Sequence, residues 1–168
     1  MSPISGFLLT AALLFASTAS VNAQALLVEK NISMRMALII IEGTIEQCTR
    51  DGHKVSVVIV DRAGNVAASL RGDGTKPHML EFARLKAYTA LTNPRGMTSL
   101  EFRRLTDDPE RGKSYLKQIP GVIAVGGGIP IRAGNEVIGA VGVSGAPGEE
   151  LDEVCANAGI ARVGDSLR

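Results

Sequence analysis

Tryptophan is absent from this 168-residue sequence, and all aromatic residues together make up 4% of it. Recognition that stacks bases on aromatic platforms has little to work with. An excess of either charge is also missing: 18 Lys and Arg stand against 17 Asp and Glu, a formal net charge of +1. That balance excludes nucleic acid and an anionic membrane as the expected main partner. Histidine is limited to His53 and His78 and cysteine to Cys48 and Cys155, with no Cys-x-x-Cys pair. The common zinc patterns are thereby excluded.

Charge is missing altogether from the start of the chain, where the first charged side chain is Glu29. From Phe7 to Ala19 the residues are apolar or small, and Val21-Asn22-Ala23 has the small-x-small form that signal peptidase reads. The run is shorter than the ~20 residues needed to span a bilayer. Residues 1–23 are therefore predicted to be a cleaved signal peptide, 24–32 a leader and 33–168 the mature domain, periplasmic or secreted. No second long apolar segment follows, so no membrane span is expected after cleavage. In an oxidising compartment Cys48 and Cys155 are a disulfide candidate. The alternative is two buried thiols, because spacing alone does not supply the Cα separation a bridge requires.

Ala37, Ile41, Thr44, Ile45 and Cys48 recur at three and four residues, predicting a helix over 33–50 that Asp51-Gly52 stops. Residues 55–60 are nearly all β-branched, and Asp61 to Asn65 is turn chemistry, so 55–71 reads as a β-hairpin. A helix is expected over 78–91, ending at Asn93-Pro94, and a capping box at Thr98-Ser99-Leu100-Glu101 opens another. Three β segments follow, over 122–125, 129–132 and 137–143, the second and third joined by a turn at Ala133-Gly134-Asn135. A last helix begins after Pro147, with Leu151, Val154, Cys155 and Ala158 turned inward. Tight turns between strands imply an antiparallel sheet and an α+β fold.

Four segments in order carry a resemblance. They are Val57 to Asn65, Lys86-Ala87-Tyr88-Thr89-Ala90, Pro120 to Ile131 around Gly126-Gly127-Gly128, and Gly139 to Gly145. With Asp152 and Ala158-Gly159 they resemble the motifs of the GlcG/HbpS-like haem-binding family across residues 33–163. The resemblance implies a profilin-like, five-stranded antiparallel sheet flanked by helices. It also implies homo-oligomers and, in several members, haem binding. Some members are exported and work beside a sensor kinase or as haem-handling proteins, so a sensor kinase or a periplasmic enzyme is a candidate partner here.

Haem iron takes an axial donor, for which His, Cys, Met or Tyr serve. His78 stands where the central helix begins, and helical spacing sets His78, Phe82, Leu85 and Thr89 along one stripe. With haem as the implied cofactor, His78 is the candidate metal ligand. Met79 and Phe82 would pack on the porphyrin, and Arg71, Lys76 or Arg84 would meet its propionates. Lys86 and Thr89 of the family-like helix complete the candidate set. The alternative for His78 is a solvated helix start, and His53 reads as a turn residue. Gly126-Gly127-Gly128 lacks the Lys-Ser/Thr ending of a phosphate loop, so it reads as a bend or a close backbone approach to a neighbouring subunit, or else as amides lining a pocket. Ser144 lacks nucleophile-elbow spacing. Glu101, Asp107, Asp108 and Glu110 read as a solvated face.

Three functions follow. The chain binds haem to sequester, carry or sense it; it degrades haem with an external reductant; or it is a non-haem accessory protein that binds another small ligand. No residue is assigned a catalytic role.

Overall fold

The computed structural model describes residues 26–93 and 96–167. The expected signal peptide over 1–23 and its expected cleavage site lie outside the described residues. Ser33 caps α1 (Met34–Arg50), its Oγ accepting the Met36 N–H at 3.2 Å. The helix ends where Gly52 takes φ +80°, a conformation glycine adopts without strain. The hairpin is β1 (Ser56–Asp61) and β2 (Val66–Arg71), and Asp61 Oδ1 closes its turn by accepting the Ala63 and Asn65 N–H groups at 2.9 Å.

The central helix α2 spans Met79–Thr92. The capping box forms at α3 (Ser99–Asp107): Glu101 N–H donates to Thr98 Oγ1, and Thr98 N–H donates to Glu101 Oε2. Strands β3 (Gly128–Ala133) and β4 (Glu136–Ser144) precede α4 (Glu149–Ala161).

The strands pair antiparallel in the order β2-β1-β4-β3. On one face Val57, Ile59, Val141 and Val143 pack with α1 and α4. On the other, Val58, Val60 and Ala140 meet Ala83, Ala87 and Ala90 of α2. The architecture is α+β, as expected, with helices on both faces. Each fully buried Val or Ile contributes about 1.5–3 kcal/mol.

Two expectations are corrected. The described residues form a four-stranded sheet, not a five-stranded one, because residues 122–125 are irregular. Gly121 (φ +82°) and Gly127 (φ +113°) bend the chain at either end, and the Ile123 N–H goes to Thr89 Oγ1 at 2.8 Å instead of to a strand. The last helix is also rotated. Leu151 and Val154 are 40% and 51% exposed, while Asp152, Cys155, Ala156 and Gly159 are buried. Ile32, placed in the leader, is a core residue whose N–H reaches Ile138 O at 3.0 Å.

Glycine sets the separation of α2 from the sheet. A Cβ on Gly142 would lie 1.9 Å from Ala83 O, and one on Gly128 would lie 2.0 Å from Lys86 O. Gly142→Ala is therefore expected to lift α2 and cost about 1–3 kcal/mol, as overpacking does. Urea unfolding checks this as a lower midpoint.

Candidate ligand site at the start of α2

The chain leaves β2 at Arg71 and turns through Gly72 to Pro77 into α2. Gly72 N–H donates to Val55 O at 3.1 Å, Thr75 N–H to Gly72 O at 3.2 Å and Met79 N–H to Lys76 O at 3.1 Å. These bonds bring His78 to the N-cap, where its side chain makes no capping hydrogen bond. The imidazole is exposed and makes no hydrogen bond to any described residue. Its ring meets Phe82, one turn on, edge to face, with centroids 5.7 Å apart. Phe82 is itself 37% exposed.

Met79 turns the other way, where its Sδ accepts the Ser144 hydroxyl at 3.3 Å. Arg71 pairs in register with Ser56 at the same end of the sheet, and it and Lys76 are exposed. Beside them runs a groove of about 270 Å³ lined by Val58, Val66, Ser69, Pro77, Leu80, Glu81 and Arg84. Arg84 is committed to Glu81 through two bonds of 2.9 and 2.7 Å, and the first of these effects, the hydrogen bond, holds the Glu81 carboxyl below its ordinary range.

Lys86 and Thr89 do not join this group, which corrects their place in the candidate set. The face of α2 that carries them is turned to the core. Lys86 Nζ lies 2.7 Å from Asp152 Oδ2 and 3.0 Å from Val143 O, with the two charged side chains 3% and 4% exposed. Asp152 Oδ1 accepts the Ala146 N–H at 3.0 Å. Burial pushes the Asp152 carboxyl above its ordinary value, and Lys86 opposes this without cancelling it. Thr89 Oγ1 donates to Leu85 O at 2.8 Å and accepts from Ile123.

The glycine run is bound from the same side. Gly126 N–H donates to Glu149 Oε2 and Gly128 N–H to Ser99 Oγ, both at 2.8 Å. Burial raises the Glu149 carboxyl, but Arg103 and the Gly126 N–H outweigh it and hold it below its ordinary value. Those two amides are thus committed within the chain, and the close approach is to α2. Cys48 and Cys155 are disulfide-bonded, with Cα atoms 5.4 Å apart.

Of the four acids read as a solvated face, Glu101, Asp107 and Glu110 are exposed and Asp108 is half-buried. Glu101 caps α3, Asp107 pairs with Arg103 and Lys117, and Asp108 pairs with Arg111. Among the described residues no group of three His, Cys, Asp or Glu is arranged to hold a bare metal ion.

The exposed His78 imidazole at the start of α2 is the residue here that could hold a haem iron. Phe82 would offer apolar contact and Arg71 and Lys76 cations, while the groove opens beside the Leu80, Glu81 and Arg84 side of α2. The groove, at about 270 Å³, is smaller than the roughly 300–1,000 Å³ of enclosing ligand pockets and would cover only part of a porphyrin. Sequence reasoning missed Lys54. Its ammonium would lie 3.2 Å from a Cβ on Gly74, inside the same loop. The hairpin register carries the signal, since Ser56 pairs with Arg71 and two further residues back lies Lys54.

Comparison with known proteins agrees with this architecture. HbpS of Streptomyces reticuli, in a double-mutant form, is 33% identical and superposes with a TM-score of 0.76, covering 86% of this chain and 97% of that one. Protein GlcG of Escherichia coli strain K12 is 28% identical over 113 residues, 67% of this chain and 81% of GlcG. PduOC, solved as its haem complex, shares the fold at 24% identity, with a TM-score of 0.71 over 79% of this chain and 94% of that one. Residues 32–161 match the family model described as haem degrading protein HbpS-like, and the chain belongs to that family.

Proposed function

We propose that the mature chain is an exported protein that binds haem and sequesters, carries or senses it outside the cytoplasm. The observation that carries this reading is the exposed His78 imidazole, unbonded to any described residue, beside Phe82 at the start of α2. His78 would be the axial donor. Phe82, Leu80 and Val66 would take the apolar edge, and nearby cations the acidic one. Bound haem would supply the redox and ligand-exchange chemistry of its iron; the residues at this site bind and orient it. Family membership supports the haem reading. The signal-like N-terminus and the Cys48–Cys155 disulfide support export, since disulfides persist in oxidising compartments. A groove too small to enclose a porphyrin favours a homo-oligomer in which a second copy covers the rest.

The haem-degrading description of the family keeps turnover as a second reading. Degradation needs electrons from an external reductant. Hemin titration of the mature protein is expected to give a saturable Soret change. His78→Ala is expected to abolish that ligation spectrum and weaken binding roughly tenfold or more, since losing even a ligand's supporting contacts costs 10–100-fold. An unchanged spectrum in His78→Ala would remove the ligand assignment. Product analysis after adding ascorbate separates a carrier from a degrader.

A further inference from the structure

We infer that the cavity between the end of α1 and the loop after β2 is a second ligand site, one that takes a free α-amino acid with an apolar side chain. The site is independent of the haem reading. It holds about 400 Å³, within the roughly 300–1,000 Å³ of ligand pockets, and is lined by Ile45, Thr49, His53, Lys54, Val55 and Asp73. His78 and Phe82 do not line it, and α1 lies on the opposite face of the sheet from α2. Its walls are tied down. His53 N–H donates to Cys48 O at 2.8 Å, and the disulfide holds Cys48 to α4. Gly72 N–H donates to Val55 O at 3.1 Å; a Cβ on Gly72 would lie 2.5 Å from that oxygen, so glycine lets the loop close on the strand.

Val55 is buried and Ile45 half-buried, which gives the cavity an apolar wall. The side chains of Thr49, His53, Lys54 and Asp73 share the same space, and none of them bonds a described residue. Elsewhere neighbouring opposite charges close on each other, as Arg103 does on Asp107 and Arg111 on Asp108. Lys54 and Asp73 line one cavity without meeting. The lysine is drawn aside, its Cδ and Nζ each 3.2 Å from where a Cβ on Gly74 would stand. A bare metal ion would find one carboxylate, one imidazole and a repelling ammonium here. A simple anion would face Asp73, and a simple cation Lys54. A zwitterion suits both, with its carboxylate on Lys54 and its ammonium on Asp73. Its remaining donors and acceptors fall to His53 and Thr49, and its side chain to Ile45 and Val55.

The test titrates L-leucine into the full mature protein by calorimetry, with amide NMR shifts to locate it. Saturable binding is expected, with shifts centred on residues 45–55 and 72–73. Isocaproate, which lacks only the ammonium, and isoamylamine, which lacks only the carboxylate, should each bind about fivefold more weakly, the upper range for an exposed ion pair. Glycine, with nothing to place on the apolar wall, should bind more weakly than leucine. Asp73→Asn is expected to bring leucine down to the affinity of isocaproate while binding isocaproate no less well. Lys54→Gln should bring leucine down to the affinity of isoamylamine. Both side chains are exposed, so folding should persist; a thermal midpoint within a few degrees of wild type checks it. No saturation by leucine at millimolar concentration, equal binding of leucine and both analogues, shifts centred on α2, or an Asp73→Asn variant that binds leucine like wild type would each overturn the site. Leucine binding is expected whether or not hemin gives a Soret change, so failure of this site and failure of the haem reading are told apart.

Discussion

Asp152→Ala is expected to remove about 3–5 kcal/mol of folding stability, the usual cost of stripping one partner from a buried ion pair. The pair is sealed: Lys86 and Asp152 side chains are 3% and 4% exposed, and among the described residues Lys86 Nζ bonds Asp152 and Val143 O. Even Gly127 contributes by lacking a Cβ, which would lie 3.0 Å from that ammonium. Removing the carboxylate leaves a buried cation with one carbonyl for company. The loss compares with a total stability of about 5–15 kcal/mol for a domain, so the variant is expected to be marginal at 37 °C.

The control reverses the sign. Lys86→Met combined with Asp152→Leu removes both charges and is expected to recover most of the loss, because well-packed apolar replacements of buried pairs are often neutral or stabilising. Urea unfolding of both singles and the double measures the coupling. A single variant that loses under 1 kcal/mol would mean that water reaches the pair. The consequence for function is positional. Lys86 lies eight residues, about two turns, after His78 on one helix, so the pair anchors α2 and thereby the direction in which its first turn presents the imidazole.

That pair also shows where the sequence stops being readable. The β1–β2 hairpin was legible because its signals are local: a β-branched run, then Asp61 and Gly64 at the turn. The α3 capping box was legible for the same reason. Residues 122–125 looked equally strand-like, yet the Val122 N–H turns back to Ile119 O and the Ile123 N–H goes to Thr89, on a helix more than thirty residues earlier. No local pattern reports that. The rotation of α4 failed likewise. Leu151 and Val154 are better hydrophobes than Asp152, but Asp152 is drawn inward by Lys86 and Cys155 by Cys48, contacts set by tertiary structure.

On α2 the periodic stripe from His78 through Phe82 to Thr89 was right for its first turn and wrong for its last. The helix runs from an exposed start onto a sheet whose glycines let its later turns sink into the core. The candidate site was thus legible at His78 and Phe82. It was illegible at Lys54, which joins only through hairpin register.

Removing the Cys48–Cys155 bridge with a Cys48→Ala/Cys155→Ala double variant is expected to cost about 4–5 kcal/mol. The bond joins residues 107 apart in sequence, and a loop of about 100 residues gives up roughly 4.7 kcal/mol of closure entropy in the chain-entropy model. Alanine is the right replacement because both sulfurs are fully buried between α1 and α4; serine would add unpaired hydroxyls and a second cost. At about 2–4 °C per kcal/mol for a domain of this size, the thermal midpoint should fall by roughly 10–20 °C. Wild type reduced with dithiothreitol under denaturant and then refolded in dithiothreitol without denaturant should melt at the same midpoint, and the double variant treated the same way should not shift. A wild type insensitive to full reduction would show that the loop constraint contributes nothing. The same bond links stability to place. A domain that depends on it for several kcal/mol would be weakened in a reducing compartment and secure in an oxidising one.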